Sequence, residues 1–109
     1  MRAFDVKTSE QDGAVRLELS GELDISSAGR AETELRRAEE AKPELVVLDL
    51  RGLAFMDSTG LRLVVSADQR AREEGRRFAI VQGPDAIRRV FEITRLDERL
   101  EIVADPAEL

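Results

Sequence analysis

The segment Asp57-Ser58-Thr59-Gly60 is where the residue types and spacing of this chain best support chemistry. It places a carboxylate, two adjacent hydroxyls and a glycine immediately before an amphipathic stretch. One reading is a helix start, with Asp57 or Ser58 as the cap and Gly60 letting the first turn pack closely. The other is a hydroxyl held out at a helix N-terminus, where the dipole and free amides would accommodate an added phosphate. Serine nucleophilic catalysis needs a base beside the hydroxyl. The chain has no histidine or cysteine, and its only lysines, Lys7 and Lys42, lie far from the segment in sequence. Hydrolase, thiol and zinc chemistries are therefore excluded on composition. An all-carboxylate site drawn from Asp24, Asp49 and Asp57 is the remaining metal possibility. It is disfavoured, because Asp49 sits in an apolar run where a paired or edge position explains it.

A second segment, Gly21-Glu22-Leu23-Asp24, precedes another helical pattern in the same way. In α/β folds, the loops leaving the carboxyl ends of parallel strands form the functional edge. The two segments, read as loops over 21–24 and 54–60, would be neighbours if their strands lie side by side. Asp24 would then be close to Ser58. Phe55 and Met56 are apolar in a loop expected near solvent, which adds to the functional reading.

The elements that must position these loops follow from periodicity. Phe4 and Val6, then Val15, Leu17 and Leu19, alternate with polar residues as half-buried strands do, and SEQDG at 9–13 supplies a hairpin turn. Ala28, Ala31, Leu35, Ala38 and Ala41 share a helical face, capped by Ser26 or Ser27 and stopped by Pro43. Leu45 to Leu50 is a nearly continuous apolar run, expected to be a central strand covered on both faces by helices. The next helix turns Leu61, Val64, Val65 and Ala71 inward and ends at Gly75. Phe78 to Val81 is a strand. Pro84 opens a helix carrying Ile87, Val90 and Phe91, and Leu100, Ile102 and Val103 form a last strand. The order β-β-α-β-α-β-α-β predicts an α/β sandwich. Its mixed sheet has four to five strands, an antiparallel N-terminal hairpin and helices packed against it.

With 109 residues, the chain is expected to be a single domain, with a tail at 105–109 that frays. The formal charge of −6 disfavours nucleic acid or anionic lipid as a partner. No signal pattern or bilayer-length apolar run is present, which makes the cytoplasm the expected location. Arg70, Arg72, Arg76 and Arg77 read as a solvated face, with Asp68–Arg72 and Glu73–Arg77 as i,i+4 pairs. Phe91, Ile93 and Leu96 are candidates to extend an apolar rim.

The combination of GELD at 21–24, LVVLDL at 45–50, FMDSTGL at 55–61 and VFEITRLDE at 90–98 resembles the anti-sigma factor antagonists, within the wider STAS domain group. The likeness spans essentially the whole chain. It implies a non-enzymatic partner switch. The unmodified antagonist binds an anti-sigma factor that is also a serine kinase of ATPase-type fold, freeing the sigma factor. Phosphorylation by that kinase ends the binding, and a metal-dependent serine phosphatase of the PP2C type reverses it. Carried onto this sequence, the modified residue is Ser58, with Thr59 as second candidate. The partner-binding residues are Glu22, Leu23, Asp24, Met56, Asp57, Ser58, Thr59, Gly60, Leu61 and Arg62. No cofactor is implied. The alternative role within the group is a scaffold or ligand-sensing module, such as a subunit of a lipid transport complex. The chain departs from the group's pattern at Arg62 and Arg95, both places where glycine is frequent.

Overall fold

The structure, a computed structural model, describes residues 3–109. Strands β1 (Asp5–Gln11) and β2 (Ala14–Leu23) form the antiparallel hairpin, followed by α1 (Ala28–Glu40), β3 (Leu45–Met56), α2 (Ser58–Glu73), β4 (Arg77–Val81), α3 (Asp85–Ile93) and β5 (Glu101–Val103). The turn is tighter than SEQDG suggests. Only Asp12 and Gly13 stand outside the ladder, both at positive φ (52° and 81°), the two-residue geometry whose twist matches the flanking strands.

The sheet order is β1-β2-β3-β4-β5, with β2 to β5 mutually parallel. Each crossover therefore moves one place in the same direction. Right-handed connections must then put all three helices on one face. The core agrees: Leu17, Leu19, Val46, Leu48, Leu50 and Ile80 cluster with Leu35, Val64, Ile87 and Phe91 from the helices, while Val47, Ala79 and Val81 are buried without joining that cluster. The expectation that helices cover both faces of β3 is thus corrected.

The helix-free face is closed by other means. Asp49 is buried there and receives Arg16 Nη2 and Arg51 Nη2, each at 2.8 Å, and the Arg51 backbone N–H at 3.1 Å. Burial alone would push the Asp49 carboxyl up. The hydrogen bonds from Arg51, with that from Arg16, outweigh it and hold the group below the usual carboxylate range. The C-terminal residues also contribute, with Pro106 and Leu109 lining a groove alongside Arg16, Leu45 and Val47. In the tail, residues 106–108 form a 3₁₀ turn closed by a capping box between Asp105 and Glu108.

Three helical details differ from the sequence pattern. Ala41 is the exposed C-cap of α1, and the buried face ends instead at Ala38 and Glu39. On α2, Leu63 and Ala67 are buried, whereas Val65 is only partly so. The arginines at 70, 72, 76 and 77 are only in part a solvated face: Arg72 and Arg77 are exposed and Arg72 makes the expected i,i+4 pair with Asp68, whereas Arg70 and Arg76 are drawn into the seam between elements. Arg70 makes a bidentate pair with the buried Glu39 (2.7 and 2.8 Å), Arg76 lies against Glu39 and Glu74, and Arg72 bonds Asp68 and the Arg99 carbonyl. Arg77 pairs with Glu101 across the parallel strands, because α2 ends at Glu73 and leaves no helix to carry a Glu73–Arg77 pair.

Candidate functional site

Strands β2 and β3 run parallel and pair to their last residues, Leu23 with Met56, and the Asp57 N–H donates to the Leu23 carbonyl at 3.2 Å. The segments around 24 and 57 therefore sit side by side at the carboxyl edge. Both begin later than the sequence suggests: residues 21–23 and 54–56 are strand, not loop.

Beyond Leu23 the chain makes a compact turn organised by Asp24. Its carboxylate accepts from the Ser26 backbone N–H (2.9 Å) and the Ser26 hydroxyl (2.6 Å). The Ser26 hydroxyl bond is the main reason that the Asp24 carboxyl is held below its ordinary range. Ser27 occupies the N-cap position of α1 without capping it. Its hydroxyl accepts from the Asp24 N–H (3.0 Å) and donates to the Glu22 carbonyl (2.7 Å), tying the turn to the strand. The turn throws Ile25 outward, 83% exposed.

Beyond Met56 the transition to helix is immediate. Asp57 is the cap, its Oδ1 accepting from the Thr59 N–H (2.9 Å) and the Gly60 N–H (3.2 Å). A Cβ at Gly60 would lie 2.7 Å from Met56 Cγ and 2.9 Å from Leu23 Cγ, so only glycine lets the first turn of α2 seat on the strand ends. Ser58, the first residue of the helix, is exposed, and its hydroxyl has no hydrogen-bond partner among the described residues. Because Asp57 takes the Thr59 and Gly60 amides, the free amides invoked for a phosphate at this helix start are largely occupied.

The structure sorts the expected partner-binding residues into two groups. Leu23, Met56 and Gly60 are buried and form the floor of the site; Met56 is core, not an apolar loop residue near solvent. Ser58 and Arg62 are exposed, and Glu22, Asp24, Asp57, Thr59 and Leu61 are partly so. Two exposed apolar residues stand on the same edge: Ile25, which the sequence pattern does not single out, and Phe55, expected from it as apolar near solvent. Ile25 stands in a polar turn, and Phe55, 47% exposed, ends β3 next to Glu22 on β2. The signal for Ile25 was an isolated apolar residue directly after GELD. The proposed rim at 91–96 reduces to one residue, because Phe91 is buried and Leu96 packs on the core, leaving Ile93 at 81% exposure.

No group of three or more acidic or other ligating side chains able to hold a metal occurs among the described residues. Asp49 belongs to the opposite face and is committed to Arg16 and Arg51. Nor is any helix among them long and apolar enough to cross a membrane.

Comparison with known proteins agrees with this layout. A family model described as the STAS domain matches residues 5–109. The anti-sigma-B factor antagonist of Staphylococcus aureus (strain NCTC 8325 / PS 47) is 28% identical over 99 residues, covering 91% of this chain and 92% of that protein. Among solved structures, an anti-sigma factor antagonist from Mycobacterium paratuberculosis superposes with a TM-score of 0.90 at 24% identity, covering 97% of this chain and 90% of that one. The Bacillus cell fate determinant SpoIIAA in its phosphorylated form superposes with a TM-score of 0.73 at 20% identity, covering 97% and 96%.

Proposed function

The chain belongs to the STAS domain family, and we propose that it works there as an anti-sigma factor antagonist, switched by phosphorylation of Ser58. Unmodified, it binds an anti-sigma factor that is also a serine kinase of ATPase-type fold and so releases a sigma factor in the cytoplasm. Phosphate on Ser58 ends that binding, and a PP2C-type phosphatase restores it. The protein is a substrate of those enzymes and performs no catalysis itself.

The observation that carries this reading is the state of the Ser58 side chain. Asp57 does the capping, so the neighbouring hydroxyl is spared any structural duty and stands exposed on a rigid edge. On the same carboxyl edge stand Ile25 and Phe55, apolar and exposed, and Asp24 and Asp57, whose carboxylates are fixed by the turn and the cap. That surface suits a partner with an apolar, cation-bearing face. Phosphate would add about −1.5 to −2 charges beside two carboxylates and obstruct close packing, with no refolding required. A loss of about 1.4 kcal/mol at the interface already means tenfold weaker binding. Thr59 is partly buried against α1 and is the poorer acceptor.

The test is incubation with the cognate kinase and ATP, followed by intact-mass measurement and site mapping. One phosphate at Ser58 is expected. No modification, or modification only elsewhere, overturns the proposal.

A further inference from the structure

A phosphate on Ser58 would have few counter-charges within reach. The Thr59 and Gly60 amides are occupied by the Asp57 carboxylate, the Leu61 amide by the Asp57 carbonyl, and the adjoining turn contributes the acid Asp24. Of the first-turn amides, only that of Ser58 itself remains. A side-chain cation must supply the rest.

Arg62 is placed to do so. Among the described residues ten arginines are engaged by carboxylates, whereas Arg62 makes no side-chain ion pair or hydrogen bond, a state shared with Arg89, Arg95 and Arg99, none of which lies on α2 beside Ser58. It lines the shallow groove between α1 and α2 with Gly29, Glu32, Thr59 and Arg70. The carboxylate of that groove, Glu32, is already shared between Arg36 (2.8 Å) and Arg70 (3.2 Å), so nothing there claims Arg62. Arg62 lies four positions after Ser58, the i,i+4 helical spacing at which side chains meet. Helical side chains lean toward the N-terminus, which carries Arg62 over Ser58 and not away from it.

We propose that Arg62 is the internal counter-ion of phosphorylated Ser58, a clamp that pairs with the phosphate as soon as it is added. This rests on the reading of Ser58 as the modified residue. The clamp cancels part of the added charge and withdraws the guanidinium from the surface offered to the partner. Release therefore depends on the bulk of the phosphate and on the loss of a free Arg62, as well as on repulsion.

The experiment installs phosphoserine at position 58 during protein synthesis, so it does not depend on any kinase, and follows the phosphate by ³¹P NMR titration. Asp24 and Asp57 raise the second ionisation from its ordinary value of about 6 and Arg62 lowers it, so the contribution of Arg62 is the difference between the unsubstituted and Arg62→Gln proteins. Arg62→Gln should raise the midpoint by roughly 0.3 to 0.7 unit, the range expected of an i,i+4 charge pair strengthened by phosphate. Arg62→Lys should retain part of the shift, and 1 M salt should reduce it. Backbone amide spectra of each protein verify that the fold is intact. Equal midpoints in the unsubstituted and Arg62→Gln proteins would overturn the clamp while leaving phosphorylation of Ser58 untouched. Absence of modification by the kinase would instead remove the switch itself.

Discussion

The seam where α1, α2 and β4 meet and the edge around Ser58 are both rich in polar residues, yet they handle them in opposite ways. In the seam, Glu39 is buried and holds Arg70 in two parallel hydrogen bonds, with Arg76 close by and Glu32 closing the network. The guanidinium of Arg70 is held further above its already high range, first by the Glu39 hydrogen bond. The main pairs there cross between elements of the same chain, Arg70 of α2 with Glu39 and Glu32 of α1, while Glu32 also pairs with Arg36 within α1. At the edge, Asp24 and Asp57 are used locally to shape turns, whereas Ser58 and Arg62 are left without partners and Ile25 and Phe55 face solvent. Polar groups satisfied internally hold a fold together. Groups left unsatisfied on a rigid support are available to something else.

The sharpest way to break this contrast is in the seam. Glu39→Ala strips two arginines of their buried carboxylate and should cost about 3 kcal/mol, seen as a lower urea midpoint with an unchanged slope. A cost near zero would mean that the seam is no more structural than the edge.

Next in size is the ion cluster on the helix-free face. The Asp49 carboxyl is held below its unfolded value, so its contribution is complete above about pH 4, where the unfolded group is already ionised, and is lost as pH falls through the folded value. Asp49→Asn should cost about 1–2 kcal/mol at neutral pH, since both arginine partners are partly exposed. It should also flatten the loss of stability below about pH 4 in acid denaturation. An unaltered acid limb would contradict the pairing.

At the edge the structural effects shrink. Asp57→Ala removes the α2 cap and should cost about 1 kcal/mol by thermal denaturation. Ser58→Asp touches no internal partner and should change stability by less than about 0.5 kcal/mol, while abolishing partner binding in a pull-down with the purified anti-sigma factor. A large stability loss for Ser58→Asp would show that the hydroxyl has a structural role after all.

Much of the frame was legible because each element carries its own period. The alternation of Val15, Leu17 and Leu19 and the unbroken run from Leu45 gave strands in the right order, and Asp57 and Gly75 bounded α2 as their chemistry requires. What escaped was set by packing between elements. The strand β3 continues through exposed Arg51 and Gly52 to Met56, because β2 keeps pairing with it, a fact invisible in a hydropathy pattern. The apolar run through Val47 reads as a strand covered on both faces by helices, but one-directional crossovers leave the second face to arginines and the C-terminal residues. Among the candidate site residues, the cap Asp57 and the exposed hydroxyl of Ser58 follow from residue type and position. Leu23, Met56 and Gly60 could not be recognised as floor without the contact between them. Arg95 adopts φ 60° directly after α3, where a glycine would sit without strain, which accounts structurally for the residue frequent there in the group.

The central claim, that phosphate on Ser58 ends the interaction with the anti-sigma factor, is tested most directly by isothermal titration calorimetry. The purified anti-sigma factor would be titrated with the unmodified protein and with the same protein carrying phosphoserine at 58. Binding at least tenfold weaker for the phosphorylated form is predicted, a difference of about 1.4 kcal/mol or more. Equal affinity in the two states would contradict the account.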